Sequence, residues 1–277
     1  AAPGNEGNGG KDGGSSKKAK KATGMTKKNN EEVYDLLDFD DKQEMEFAKK
    51  NLLAAPAELE IKDENGKTVW SQKAYSFLED REAPDTVNPS LWRSTQMNHL
   101  YGLFEVTDGI YQVRGYDMTN ITFIQGETGW IVFDPLISTE CSKAALELVN
   151  EELGERPVVG IVMSHPHVDH YGGIKGIISE EEVAERRIPV IAPEGFEEHA
   201  VSENVYAGNA MGRRAGYQYG TMLESSETGA MAIGIGMGQS TGTISYIPPN
   251  DIIKATGDRR TIDGVEMEFQ MTPGTEA

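Results

Sequence analysis

The chain has five histidines in 277 residues, and three of them fall between His165 and His170. The stretch reads "MSHPHVDHYGG", Met163 to Gly173. Imidazole and carboxylate groups at this density suit proton transfer or metal ligation. The spacing points to ligation. His165 and His167 are two apart, so an extended or tightly turned loop can aim both rings at one point. Asp169 and His170 sit on the next turn and can face a second point beside the first. The pattern therefore supplies two pairs of ligands to two adjacent cations. Neutral imidazole with carboxylate and no thiolate favours zinc, with iron or manganese as alternatives. A surface loop with chance histidines is the competing reading. The apolar strand before the cluster and the glycines after it argue against that. Gly172 and Gly173 would let the backbone pass close to the metals and open the next helix. The remaining two histidines, His99 and His199, read as structural.

The elements that must position this loop are legible around it. "RPVVGIVMS" is a short, fully apolar strand, and a loop after a buried strand is where a scaffold displays chemistry. Upstream, "LFEVTDGIYQVRG" and "TNITFIQGETGWIVFDPL" alternate apolar and polar residues around the turns Asp108-Gly109 and Glu127-Thr128-Gly129, which predicts a β-meander. "STECSKAALELVNEELGE" predicts a capped helix that buries Ala145, Leu148, Val149 and Leu153 and stops at Gly154. After the cluster come a helix over 173–187, the strand "IPVIAP" and a helical stretch over 194–219. Residues 228–250 are glycine-rich and predict a long loop. The final segment predicts a hairpin turning at Asp263-Gly264. Meander, βαβαβ and hairpin together specify an α/β chain with a sheet-rich core and helices outside.

Residues 1–30 contain almost no apolar side chains and a lysine cluster, so they predict a disordered tail. Residues 31–100 predict an arm. Asp40 or Asp41 would cap a helix burying Met45, Ala48 and Leu52 and ending at Pro56; an extended segment with Trp70, Tyr75, Phe77 and Trp92 would follow. The formal net charge of −19 disfavours nucleic acid and anionic membrane surfaces as partners. No apolar run is long enough to span a bilayer. The single cysteine, Cys141, excludes an intrachain disulfide and a thiolate metal cluster. Cysteine poverty fits cytosol and periplasm equally. The small, flexible opening "AAPGNEGNGG" looks like a mature terminus after signal removal, which points to the periplasm or secretion, although a tag would look the same.

"SHPHVDHYGG" resembles the signature of the metallo-β-lactamase superfamily. "NITFIQGETGWIVFDPLIST", "PEGFEEHAVSENVYAGNAMGRRAGYQYG" and the terminal "TPGTEA" resemble the alkyl sulfatases of that superfamily, zinc enzymes that hydrolyse dodecyl sulfate. The likeness runs from about residue 31 to the end. It implies an αββα sandwich, of which residues 101–277 would be the first part. It implies a dinuclear zinc site with His165, His167, Asp169, His170 and Glu276 as ligands. Glu276 rests on the resemblance alone: many superfamily members carry Pro-Gly-His where this chain has Pro273, Gly274, Thr275 and Glu276. Asp134 in "IVFDP" would stand behind the histidine loop and orient it, or satisfy backbone amides at a strand end. Sulfatases of this type are much longer. They add further ligands, a helical dimerisation region and a lipid-carrier-like domain, so the resemblance implies a homodimer and a remainder of the enzyme outside these residues.

The implied reaction is hydrolysis of an alkyl sulfate ester to an alcohol and inorganic sulfate. Two cations would lower the pKa of a shared water to about 7, with Asp169 beside it in the catalytic group. Arg213 and Arg214 are candidates for sulfate contact, because a guanidinium fork matches a tetrahedral oxyanion. A surface or interdomain salt bridge is their other reading. Met231, Ile233, Ile235 and Met237 would line an alkyl channel or form a lid. The alternatives are a thioesterase, lactonase or β-lactamase on the same fold, or an inactive metal-binding or interaction fragment.

Overall fold

The computed structural model describes residues 19–78 and 81–275. In chain order the arm contributes α1 (Gly24–Leu36), α2 (Gln43–Lys49), β1 (Leu52–Ala54), β2 (Glu60–Lys62), β3 (Thr68–Ser71) and α3 (Pro89–Asn98). The meander is β4 (Gly102–Thr107), β5 (Ile110–Arg114), β6 (Ile121–Gln125) and β7 (Trp130–Phe133). The alternating part is α4 (Thr139–Leu153), β8 (Val158–Val162), α5 (Glu180–Arg186), β9 (Val190–Pro193), α6 (Phe196–Val201) and α7 (Gly208–Tyr219). Last come β10 (Asp251–Ile253), β11 (Asp258–Ile262) and β12 (Val265–Phe269).

Eight strands form one mixed sheet in the order β1-β4-β5-β6-β7-β8-β9-β10. Pairing is antiparallel as far as β7 and parallel from β7 to β10. The change of sense follows from the connections, since tight turns join the meander and α4 makes the first crossover. Side chains alternate across the sheet as the pleat requires. Trp130, Val132, Ile161 and Met163 face one core together with Cys141, Ala145 and Val149 of α4. Ile131, Val162, Ile191 and Ile253 face the other side, against Ile262 of the β11–β12 hairpin. Helices cover one face, and a second sheet begins on the other. This is the predicted α/β arrangement, the first part of an αββα sandwich. Asp263 fastens the hairpin by accepting from Thr128 N and Gly129 N at 2.7 and 2.8 Å.

Four expectations need correction. A helix occupies Gly24–Leu36, within and beyond the stretch predicted as tail. Thr23 caps it by accepting from Thr26 N, and Lys27 and Asn30 bond to Asp85, so polar contacts rather than burial hold it. The rest of the predicted tail, residues 1–18, lies outside the described residues. The next helix is only Gln43–Lys49, with Lys42 at its N-cap. Asn51 takes a left-handed φ of 58° and turns the chain, so Leu52 enters β1 and joins the sheet beside β4. The helix expected over 173–187 is a short 3₁₀ turn followed by Glu180–Arg186, capped by a reciprocal Ser179–Glu182 box. Finally, Met231 and Met237 are buried core residues, while Ile235 is exposed. The glycine-rich stretch is strapped down rather than lid-like. Tyr75 Oη donates to Met237 O at 2.7 Å, and Ser245 N to Gly172 O at 2.7 Å.

Candidate metal centre

Parallel pairing of β7 with β8 brings their carboxyl ends together, and both ends carry chemistry. Asp134 directly follows β7, and Ser164 and His165 follow β8 within three residues. Ligand sites of parallel sheets lie at this edge. Asp134 adopts a left-handed φ of 55° and Leu136 one of 54°, so the chain turns sharply as it leaves the strand. Aspartate tolerates this conformation and leucine does not, which marks stored backbone strain beside the site. The turn aims the Asp134 carboxylate at the histidine loop. It accepts from Ser164 N at 2.8 Å, from Ser164 Oγ at 2.6 Å, and meets His170 Nδ1 at 2.8 Å.

The loop is clamped from the opposite side too. Thr119 Oγ1 donates to Asp169 O at 2.7 Å. At the loop's exit the backbone packs directly on the turn after β7. A Cβ on Gly172 would meet Ile137 O at 2.3 Å, and one on Gly173 would meet Pro135 O at 2.2 Å and Ser142 Oγ at 2.0 Å. The two glycines therefore serve close contact with 135–142, and Gly173 also caps the short 3₁₀ turn Ile174–Gly176.

Within the loop the predicted ligands are paired. His165 Nε2 lies 3.0 Å from His167 Nδ1, and His170 Nε2 lies 3.2 Å from Asp169 Oδ2. The His165 and His170 rings are 4.1 Å apart between centroids, so the two pairs are adjacent. Asp169 is buried. Burial alone would lower the pKa of His170, but its hydrogen bonds to Asp134 and Asp169 and their charges outweigh that and raise it to about 10. Asp169 responds in the opposite sense: burial would raise it, and the bond and charge of His170 bring it below the usual value. A cation arriving here would displace the His170 proton. The donors fit zinc in type and in pairing. Among the described residues no group of three or more His, Cys, Asp and Glu side chains converges as one metal ion needs. Each pair thus offers two of the roughly four ligands of a tetrahedral site.

Of the other predicted residues, Glu276 lies outside the described residues. Arg213 and Arg214 are exposed on α7, an element with no buried residue. His199 is exposed on α6, and His99 is a structural histidine whose Nδ1 lies 2.8 Å from Gln72 Oε1.

The model of the metallo-β-lactamase superfamily matches residues 114–276. The chain belongs to the metallo-β-lactamase superfamily. Members of this superfamily are metal-dependent. Within it, the chain is 49% identical over 92% of its length to a linear primary-alkylsulfatase of Pseudomonas sp. It is 45% identical over 92% to an (R)-specific secondary-alkylsulfatase of Pseudomonas sp, and 44% over 91% to an alkyl/aryl-sulfatase of Saccharomyces cerevisiae. It spans 38–39% of the length of these relatives. The structure of the stereoselective inverting sec-alkylsulfatase Pisa1 from Pseudomonas sp. superposes with a TM-score of 0.88 at 44% identity, covering 94% of this chain and 41% of that one.

Two residues of this metallo-β-lactamase fold were not visible in the sequence. Glu203 Oε2 stands 3.6 Å from His167 Nε2. Asp117, which is buried, accepts from Met118 N, Ile137 N, Ser240 N and Ser240 Oγ, so one carboxylate ties three loops together. A signal for Asp117 existed in "RGYDMTN", an acidic residue inside a meander turn flanked by core residues, but turns of that composition are usually solvated.

Proposed function

We propose that this chain carries the metal-binding loop of a zinc-dependent alkyl sulfatase, which hydrolyses alkyl sulfate esters of the dodecyl sulfate type to alcohol and inorganic sulfate. The supporting observation is the coincidence of two donor pairs on one clamped loop with identity of 44–49% to three alkylsulfatases across more than nine-tenths of the chain. His165 and His167 would hold one zinc ion, and Asp169 and His170 a second, with Glu276 completing the set. Bound zinc supplies a water acidic enough to lose its proton near neutral pH and positive charge to face the sulfate. Asp134 keeps the His170 ring turned so that Nε2 points at Asp169, and Thr119 fixes the Asp169 backbone. The carboxylate of Asp169 would lie beside the reacting water. Arg213 and Arg214 are proposed to contact sulfate. The protein is further proposed to act as a homodimer, with the rest of the enzyme as partner, in the periplasm or outside the cell. Among the described residues no helix is long and apolar enough to cross a membrane.

Metal content and turnover of dodecyl sulfate by the full-length protein, before and after chelation, test this reading. Zinc should be present, turnover should vanish on chelation and return with zinc, and a thioester and a β-lactam should be poor substrates. His167→Ala should abolish turnover while leaving the circular dichroism spectrum intact. Dodecyl sulfate turnover that survives both treatments would sink the proposal.

A further inference from the structure

The two ends of the histidine loop are backed in the same manner. His170 turns Nε2 toward Asp169, and a carboxylate of Asp134 lies behind it at Nδ1. His167 shows the arrangement reversed. Its Nδ1 faces His165 Nε2 at 3.0 Å, and a carboxylate of Glu203 lies on the far side of the ring, 3.6 Å from Nε2. That separation is too long for a hydrogen bond but within ion-pair range, and a small side-chain rotation closes it. The two side chains are 31% and 26% exposed, so the pair is partly shielded from solvent.

Glu203 reaches this position because the helix is locally widened. Between α6 and α7 the chain forms a π-helical turn, Ser202–Tyr206. Such turns insert a residue and re-aim side chains, often at functional sites. The turn is tied to the loop it faces. Asn204 Nδ2 donates to Ala200 O at 2.9 Å and to Tyr171 Oη at 3.1 Å. Tyr171 follows His170 directly, is buried, and packs edge-on against Phe196 and Tyr246 at 5.5 and 5.6 Å. The neighbour of Glu203 is therefore fastened to the neighbour of His170.

We propose that Glu203 is the positioning residue of His167, the counterpart of Asp134 at His170. Its carboxylate accepts the Nε2–H of the neutral ring and keeps the Nδ1 lone pair turned toward His165. A carboxylate behind a ligating histidine fixes its tautomer and orientation and raises its basicity. The role rests on the metal-centre reading above.

The test is zinc affinity of the full-length protein and of its Glu203→Gln and Glu203→Ala variants, by competition with a chromophoric chelator. Melting temperatures of the zinc-free forms are measured alongside. Glu203→Ala should bind zinc about tenfold to a hundredfold more weakly. Glu203→Gln, whose amide oxygen still accepts but carries no charge, should fall between it and the parent. The zinc-free melting temperatures should coincide, which a merely structural glutamate would not require alongside lost affinity. Affinities of both variants indistinguishable from the parent's overturn the proposal; if Glu203→Ala fails to fold, Glu203→Gln decides by the same criterion. A parent that binds no zinc removes the metal-centre reading and this role together, whereas a zinc-binding parent matched by every variant that folds removes this role alone.

Discussion

At the scale of residues, the histidine loop is held by carboxylates that face it. Asp134 accepts three hydrogen bonds or charge contacts from the loop that follows the neighbouring strand. Replacing it with alanine leaves Ser164 N without its partner and His170 without its orienting group. Asp134→Ala should therefore lower stability by about 1–3 kcal/mol and weaken zinc binding about tenfold to a hundredfold. Thermal melts of the zinc-free protein and chelator competition measure the two effects separately. Zinc affinity equal to the parent's would show that the loop orients itself. The histidine cluster could be read from the sequence because its local spacing and its place after an apolar strand carry the signal, whereas Asp134 came from the family resemblance. Glu203 could not. It stands 36 positions after His167 in the chain, a separation that local spacing does not register, and the π-helical turn that aims it leaves no compositional trace.

At the scale of elements, Asp117 joins the turn after β5, the turn after β7 and the strapped glycine-rich segment. Burial raises its pKa above the ordinary aspartate value of 3.8, and four hydrogen bonds oppose the rise without cancelling it. The folded protein therefore holds this proton more tightly than the unfolded chain does. The contribution of Asp117 to stability is greatest below pH 3.8 and falls as pH rises from there through the raised folded value. Asp117→Asn removes that slope. Denaturant unfolding at several pH values should show the parent losing its advantage over Asp117→Asn as pH increases, and a difference that stays constant with pH would refute the assignment. Strands and α4 were legible because each has an apolar face with the right period. The helix Gly24–Leu36 was not, since it buries no residue and its supports are a cap and contacts to Asp85. The helix predicted to run to Pro56 overran because apolar spacing continues past Asn51, where the backbone itself turns.

At the scale of the whole molecule, one core joins the arm, the meander and α4, and Cys141 sits within it with no exposed surface. Burial pushes its thiol pKa far up, and the charge of Asp117 adds to the effect. A thiolate is the reactive form, so this thiol is inert while the fold is closed. A disulfide reagent should label Cys141 at once in guanidinium chloride. In native buffer labelling should be slow, at a rate that follows global opening. Rapid stoichiometric labelling of the native protein would show that α4 opens locally. Fold class was readable at this scale from element order alone. The β11–β12 hairpin's place across the second face was not, because Asp263 fixes it through contacts to Thr128 and Gly129 that lie far away in sequence.

The strand order of the main sheet has a consequence for how the protein is made. From β5 to β10 each strand pairs with the one before it in the chain. A ribosome delivering this chain presents each new strand to an edge already in place, and no strand of that series waits for a later one to find its neighbour. Loop closures are short within the meander, β4 to β7, and lengthen at the crossovers to β8, β9 and β10, and long closures are the kind that slow folding most. The histidine loop emerges just after β8, when the edge that holds Asp134 already exists. The histidine cluster is thus synthesised onto a support that is already in place.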